Sequence, residues 1–286
     1  MLEEICHHLP PHTMKIVDGT LGHGWHADAM LKTCEEQWHL AHLRGIDRDK
    51  QMLEYAAKKL EEYGDRVTLL HARYDQIPAL LSGHQIKTCD FILLDIGINR
   101  QHVADAPRGF SIKQEWPLDM RFDQTQSFTA KHYLQQVKAD QLKKDLMLYG
   151  DFKEKRAQVI AFHLLRSINH DTIGTTIDLK NSLKQVWADE RKCAVIFQVL
   201  RIKVNDELWH LQSFLSNYHS ILRQGWRCAI ITFHSVEDRI VKEAFKRQEA
   251  DGIIKKVNKS VIKPSKDEQR VNKASRSAKL RIVEKL

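Results

Sequence analysis

The chain has 286 residues, of which 42% are hydrophobic and 29% are charged, and its formal net charge is +8. This composition is globular, and no apolar run approaches the ~20 residues that a membrane-spanning helix needs. The cysteines are scattered and odd in number, which fits reduced thiols, and no pair of them has metal-ligand spacing. The composition therefore excludes a membrane-spanning protein and a disulfide framework.

The two ends of the chain differ in charge. Residues 1–10 contain Glu3, Glu4 and two histidines, so they form neither a secretory signal nor an arginine-rich transit peptide. We therefore expect a bacterial-type cytoplasmic protein, and nothing here supports a mitochondrial one. From Lys242 onward basic residues outnumber acidic ones. This excess has two interpretations of equal weight, a phosphate-binding region and a solubilising tail.

The first part of the chain alternates between apolar runs and helical patterns. The runs predict strands at residues 16–17, 42–46, 67–70 and 91–94. A helical pattern over residues 50–63 separates two of them. Such alternation indicates a parallel sheet that is covered by helices on both faces.

After Asp95 the alternation stops and the pattern becomes helical. The helices predicted in this part cover residues 131–137, 139–149, 153–168, 179–187 and, as one long amphipathic helix, 194–222. The elements predicted beyond them are a strand at 226–233, a helix at 236–248 and a strand at 279–283. Residues 252–277 are polar and are expected to be the least ordered. We predict an α/β domain of residues 1–104 and 206–286, interrupted by a helical insertion over residues 105–205.

A glycine loop follows the first predicted strand, where residues 18–26 read Asp-Gly-Thr-Leu-Gly-His-Gly-Trp-His. Gly22 and Gly24 carry no side chain, so the backbone can come close to a ligand. The aspartates that end predicted strands are Asp18, Asp47 and Asp95. A single such aspartate is more often a helix cap. Three of them beside a glycine loop favour a nucleoside-containing cofactor, with Asp47 on the ribose.

Further short motifs follow in order along nearly the whole chain. They are Ile-Asp-Arg-Asp at 46–49, Leu-Asp-Ile-Gly at 94–97, Arg-Gly-Phe-Ser at 108–111, Pro-Leu-Asp-Met-Arg at 117–121, Val-Asn-Asp-Glu-Leu at 204–208, Phe-His-Ser at 233–235 and Arg-Ser-Ala-Lys-Leu-Arg at 276–281. Each motif alone is weak, but their order and spacing are specific. The chain resembles the S-adenosylmethionine-dependent cytosine-N4 methyltransferases of small-subunit ribosomal RNA.

The resemblance implies a class I (Rossmann-like) methyltransferase sheet with an inserted all-helical domain that recognises the substrate. It implies S-adenosylmethionine as cofactor. The implied substrate is a cytidine of the decoding region, in free RNA or in the assembled small subunit. The resemblance is compatible with a homodimer. The loop and the resemblance together give the cofactor contacts as Asp18, Gly22, Gly24, Trp25, His26, Asp47, Tyr74, Asp95 and His102. The expected catalytic residues are Asp95, Asn99 and His234, and the expected RNA contacts are Arg108, Phe110, Arg121 and Arg239.

The chemistry explains why an acceptor is expected at Asp95. The N4 amine of cytosine is a poor nucleophile because its lone pair is delocalised into the ring. Catalysis then needs alignment of the reacting atoms and acceptors for the amine hydrogens. Asp95 is the first candidate, Asn99 can assist, and Phe110 or His234 can stack on the base. For the arginine–aspartate motifs, ion pairing within the protein explains the residues as well as a role in catalysis or RNA binding does.

Two departures from the family pattern leave other interpretations open. Trp25 stands where the family has glycine, and Asn-Arg-Gln-His at 99–102 replaces Ser-Ser-Pro-Gln. Trp25 is therefore expected to fill space beside the cofactor loop. The pattern favours an active methyltransferase over a non-catalytic RNA-binding or ribosome-assembly factor with an impaired loop. A nicotinamide-dependent dehydrogenase is disfavoured because residues 22–27 lack the Gly-x-Gly-x-x-Gly spacing.

Overall fold

The computed structural model describes residues 1–83, 87–104, 106–186 and 189–286. The chain divides into two compact units, a sheet unit of residues 1–97 and 208–286 and a helical unit of residues 98–207. The predicted domain boundary at residue 105 and the predicted helix end at residue 187 lie outside the described residues. The role of the helical unit in substrate recognition stays a prediction.

The described strands form one seven-stranded sheet in the order β3-β2-β1-β4-β5-β7-β6. The strands are β1 Lys15–Asp18, β2 His42–Asp47, β3 Val67–His71, β4 Cys89–Asp95, β5 Leu222–Thr232, β6 Ile254–Lys256 and β7 Lys279–Lys285. The first five are parallel, whereas β7 runs antiparallel to both β5 and β6. The sheet is therefore mixed rather than purely parallel, with its antiparallel strands at one edge, as in many α/β folds.

Both faces of the sheet are covered, as the alternation predicted. In β4, Phe91 and Leu93 belong to one apolar cluster, while Ile92 and Leu94 belong to a second. Alternate residues of a strand point to opposite faces, so the two clusters lie on the two sides of the sheet. The helices of the sheet unit are α1 Leu2–His8, α2 Trp25–Glu36, α3 Lys50–Lys59, α4 Ile77–Gly83, α11 Glu207–Asn217, which begins at the unit boundary, α12 Ser235–Ala250 and α13 Lys266–Val271. The predicted α/β fold is confirmed.

The helical unit has its own apolar core. Its helices are α5 Arg100–Ala104, α6 Ala130–Gln136, α7 Ala139–Gly150, α8 Glu154–Asn169, α9 Thr176–Gln185 and α10 Glu190–Val204. Leu142, Ile160, Leu164 and Leu200 are fully buried in this core. Within α8 the buried Ala157, Ile160, Ala161 and Leu164 recur at spacings of three and four residues, the pattern used to predict the helices.

The long helix predicted over residues 194–222 is wrong. The chain breaks between Val204, where α10 ends, and Glu207, where α11 begins. Asp206 adopts a left-handed conformation, with φ of 47°. The Asn205 side-chain amide donates to the carbonyl of Met120 at 2.7 Å, so a distant segment holds the break. Helix periodicity continues on both sides, and neither glycine nor proline marks the break.

Residues 252–277, expected to be the least ordered, contain β6 and α13. β6 pairs with β7, and Ile254 is fully buried. Strand β5 also begins at Leu222, earlier than the predicted residue 226. In the described part of the chain, no helix combines the length and apolar character needed to cross a membrane.

Candidate active site

Asp18, Asp47 and Asp95 lie at the carboxyl ends of β1, β2 and β4. These strands are neighbours in the order β2-β1-β4 and are parallel. The sheet therefore brings the three carboxylates to one edge, which we call the site edge. In parallel α/β sheets this is the edge where ligands bind.

The glycine loop between β1 and α2 is tied to the strands on either side. Gly19 N donates to the carbonyl of Leu93 at 2.9 Å, and Leu21 N donates to that of Ile46 at 3.0 Å. A Cβ at position 19 would lie 2.4 Å from Leu94 Cδ2 and 2.9 Å from Ile77 Cδ1, so any larger residue there would force these buried side chains to shift. Gly24 has φ of 80° and immediately precedes α2, so the loop turns sharply into the helix, whose first-turn amides have no partner within the helix itself.

Asp47 holds this loop against β2. One carboxylate oxygen accepts a hydrogen bond from Gly22 N at 2.8 Å, and the other accepts from Asp49 N at 2.9 Å. Asp49 in turn caps α3 by accepting from Gln51 N at 3.1 Å. A carboxylate can accept several hydrogen bonds, so this arrangement positions Asp47 and is compatible with the ribose contact predicted for it.

Asp18 is almost completely buried, with 1% of its surface exposed. Its Oδ1 accepts from Thr20 N at 3.1 Å. Burial raises the pKa of Asp18 to about 8, and the nearby charges of Asp95 and Asp47 add to the rise. The protonated form of Asp18 is therefore favoured at neutral pH. Its hydrogen bond with Thr20 N holds the start of the loop.

Asp95 and His26 form a contact at the site edge. His26 Nδ1 lies 3.5 Å from Asp95 Oδ2, and Asp95 N donates to Thr20 Oγ1 at 2.5 Å. Burial raises the pKa of Asp95 and lowers the pKa of His26. Within the described residues, the outer atoms of the pair, Asp95 Oδ1 and His26 Nε2, are buried without a hydrogen-bond partner. Buried polar atoms are normally satisfied, and a ligand or a water bound at this edge would complete these two.

Tyr74 and His234 flank the same edge. Tyr74 follows β3, is buried, and packs edge-on against Phe214, with ring centroids 5.9 Å apart. His234 caps α12, and its Nδ1 accepts from Glu237 N at 3.3 Å. Its Nε2 lies 2.7 Å from Glu237 Oε1. Both ring nitrogens thus face Glu237, and the catalytic role of His234 stays a prediction.

Trp25, which was expected to fill space beside the cofactor loop, has an exposed side chain. Trp25 is the first residue of α2, and its side chain is 61% exposed. Lys59 Nζ lies 3.9 Å from the centroid of its ring. The ring therefore lies beside Lys59 of α3 at the surface of the sheet unit, and the cofactor contact of Trp25 stays a prediction.

Asn99 and His102 belong to the helical unit. Asn99 Oδ1 accepts from His102 N at 2.9 Å at the start of α5. The His102 ring is 6% exposed and packs against Phe110 and Phe122, with centroids 5.5 and 5.0 Å away. Phe110 itself stacks on Phe122. The cofactor contact of His102, the catalytic role of Asn99 and the RNA contact of Phe110 stay predictions.

The predicted RNA-binding arginines have different surroundings. Arg108 is buried, and its Nη2 donates to the carbonyls of Arg121 and Phe122 at 3.3 and 2.6 Å. Arg121 makes a two-point ion pair with Asp119, at 2.8 and 2.7 Å. Arg239 is exposed on α12 and has no ion pair within the described residues. Its surroundings leave Arg239 accessible to a phosphate, whereas Arg108 and Arg121 fit the alternative of ion pairing and internal bonding.

Two residues contribute to the site edge although the sequence alone gave them no role there. Thr20 accepts the hydrogen bond from Asp95 N and thereby orients β4 against the loop. Phe214 supports Tyr74 from α11. Thr20 lies within the glycine-loop motif, so its position was a usable signal, whereas nothing in the sequence links Phe214 to Tyr74.

The site edge fits a nucleoside-containing methyl donor. The loop offers backbone amides at a helix start, Asp47 is positioned for a ribose, and Asp95 Oδ1 with His26 Nε2 are buried atoms that a ligand can complete. The model of the MraW methylase family matches residues 1–286. The chain belongs to this family. The predicted enzyme class and the predicted cofactor, S-adenosylmethionine, are confirmed.

Curated relatives agree over nearly the full length. A protein of Thermotoga neapolitana is 36% identical over 99% of this chain and 94% of its own. A protein of Elusimicrobium minutum is 38% identical over 94% of this chain and 91% of its own. Both are named ribosomal RNA small subunit methyltransferase H. The crystal structure of an rRNA methylase from Streptococcus thermophilus aligns over 100% of this chain and 93% of its own, with a TM-score of 0.42 at 10% identity.

Proposed function

We propose that this methyltransferase of the MraW family methylates the N4 amine of a cytidine in small-subunit ribosomal RNA, in the decoding region. We place it in the bacterial cytoplasm, acting on free RNA or on the assembled small subunit. The names of its full-length relatives support the RNA. The observation that carries the reaction is the buried Asp95 oxygen without a hydrogen-bond partner among the described residues, beside the glycine loop.

The residues at the site edge suit this reaction. S-adenosylmethionine, when bound, supplies an electrophilic methyl group. Asp95 Oδ1 accepts a hydrogen bond from the N4 amine and takes the proton that the nitrogen loses as its bond to carbon forms. A pKa raised by burial makes Asp95 a stronger base than an exposed aspartate. His26, 3.5 Å from the other oxygen, fixes the orientation of the carboxylate.

The surface of the sheet unit suits RNA. On α12, Arg239, Lys242 and Lys246 are exposed and are spaced along one helix face. Beyond α12, further exposed basic residues are Lys259, Lys263, Lys266, Lys273 and Arg276. By contrast, Lys279 and Arg281 both bind Asp238, at 2.9 and 2.8 Å. The basic C-terminal region is thus more than a solubilising tail, because part of it builds the sheet and part presents cations for phosphates.

The alternative of a non-catalytic factor depended on a loop spoiled by Trp25. The exposed side chain of Trp25 favours an active enzyme, and a methyl-transfer assay distinguishes the two.

The test is methyl transfer from radiolabelled S-adenosylmethionine to free small-subunit ribosomal RNA and to assembled small subunits. Nuclease digestion and mass spectrometry then identify the labelled nucleoside. N4-methylcytidine is expected, and the Asp95→Asn variant serves as the inactive control. Label in any other nucleoside would overturn the proposed target atom.

A further inference from the structure

The outward position of Trp25 leaves a large aromatic side chain exposed next to the cofactor loop. Its neighbour His23 stacks on Tyr55, with ring centroids 5.1 Å apart and planes 19° from parallel. Tyr55 and Lys59 lie four residues apart on α3 and therefore share one face of that helix. Together His23, Trp25, Tyr55 and Lys59 form what we call the loop platform.

The platform is held in place from within the sheet unit. Lys59 Nζ binds Asp28 at 3.1 Å while it lies over the Trp25 ring. Asp28 also accepts from the Tyr63 hydroxyl at 2.7 Å, so the anchor of the lysine is itself fixed. A Cβ at Gly24 would lie 3.3 Å from Leu60 and 3.5 Å from Ala56, which shows how closely the loop packs on α3. Trp25 is thus presented on a rigid support rather than on a mobile loop.

This arrangement has the chemistry of a nucleobase-stacking site. We propose that Trp25 stacks on an unpaired base of the RNA that flanks the target nucleotide. This inference rests on the proposed RNA substrate. A base that enters the active site must leave its own stack, and its neighbours then need new stacking partners. Aromatic rings supply such stacking without sequence preference, and a cation at the ring adds to the attraction.

The position of Trp25 supports a substrate contact over a cofactor contact. It follows Gly24 directly, so it lies at the site edge, and its side chain is exposed with Lys59 at one face of the ring. Trp38 provides a matched comparison, because it lies just past the other end of α2 and its side chain is 94% exposed. The two tryptophans share a helix and high exposure, but only Trp25 is at the site edge.

The experiment measures binding of a fluorescein-labelled single-stranded oligocytidylate RNA by anisotropy, at one salt concentration and with S-adenosylhomocysteine present. We expect Trp25→Ala to weaken RNA binding by about 5- to 100-fold, the range for loss of one stacked base. Trp25→Phe retains a stacking ring and is expected to stay within about threefold of the wild type. Trp38→Ala is expected to bind like the wild type, and Trp25→Ala to bind S-adenosylmethionine like the wild type.

Several results would overturn the platform. They are an unchanged RNA Kd in Trp25→Ala, an equal loss in Trp38→Ala, an equal loss in Trp25→Phe, or no binding of the oligocytidylate by the wild type. A parallel change in the Kd for S-adenosylmethionine would assign Trp25 to the cofactor site instead. Failure of the proposed function is distinct, because it would show as absent N4-methylcytidine while Trp25-dependent RNA binding persists.

Discussion

The site edge of the sheet and the turn at residues 108–122 of the helical unit were both predicted to serve methylation, but the hydrogen bonds of their polar side chains differ. At the site edge, Asp95 and His26 carry buried atoms that have no hydrogen-bond partner among the described residues. In the turn, Arg108 donates to backbone carbonyls and Arg121 pairs with Asp119. A buried polar atom without a partner costs free energy. At the site edge the two buried atoms therefore suit completion by a ligand, whereas the bonds of Arg108 Nη2 and Arg121 suit a structural role.

The largest expected effect is on turnover at the site edge. Asp95→Asn removes the proton acceptor but keeps the shape of the side chain, so kcat for methyl transfer should fall by about 10²- to 10⁴-fold. Circular dichroism should show an unchanged fold. The exposed Asp65→Asn, changed on the same unit, is the control. Turnover at the wild-type level in Asp95→Asn would remove Asp95 from the reaction and weaken the contrast between the two regions.

The pH dependence of stability tests the burial of Asp18. Its pKa is about 8 when folded, against 3.8 as the ordinary value. Between these values the folded protein keeps a proton that the unfolded chain has lost. Asp18 therefore lowers the free energy of unfolding as pH rises, by at most about 1.4 kcal/mol per pH unit. Asp18→Asn should remove this part of the slope.

The measurement is urea unfolding of the wild type and Asp18→Asn between pH 5 and pH 8. Because other groups titrate equally in both proteins, the difference between the two curves isolates Asp18. Parallel curves would show that Asp18 is not held protonated.

A smaller effect is expected on cofactor affinity. Asp47→Ala removes the acceptor for Gly22 N and Asp49 N and the predicted ribose contact. Loss of hydrogen bonds to a charged group should raise the Kd for S-adenosylmethionine by about 10- to 100-fold. Titration calorimetry measures this, with Asp65→Ala as the exposed control. An unchanged Kd would contradict the role of Asp47.

A final effect, of similar size, is expected on stability in the turn of the helical unit. Arg108→Ala leaves the carbonyls of Arg121 and Phe122 without their donor and should cost about 1–3 kcal/mol of unfolding free energy. The Kd for S-adenosylmethionine should not change. Stability at the wild-type level together with weaker RNA binding would instead make Arg108 an RNA contact and would erase the difference between the two regions.

Local signals predicted much of the fold. The strands of the first four runs, the glycine loop and the positions of Asp18, Asp47 and Asp95 follow from periodicity and from residues that adjoin each other in the chain. What failed depended on distant partners. Asn205 breaks the long helix by bonding to Met120, and β6 is ordered by pairing with β7.

The same division holds at the candidate site. The sequence by itself determined the family motifs, the α/β pattern and which side chains end the central strands, because these depend on order along the chain. Only the tertiary structure decided that the exposed Trp25 ring lies beside Lys59 of α3, that Arg108 donates to backbone carbonyls and that Asp95 faces His26. The direction of a side chain is set by whatever packs beside it, and those neighbours come from remote parts of the sequence.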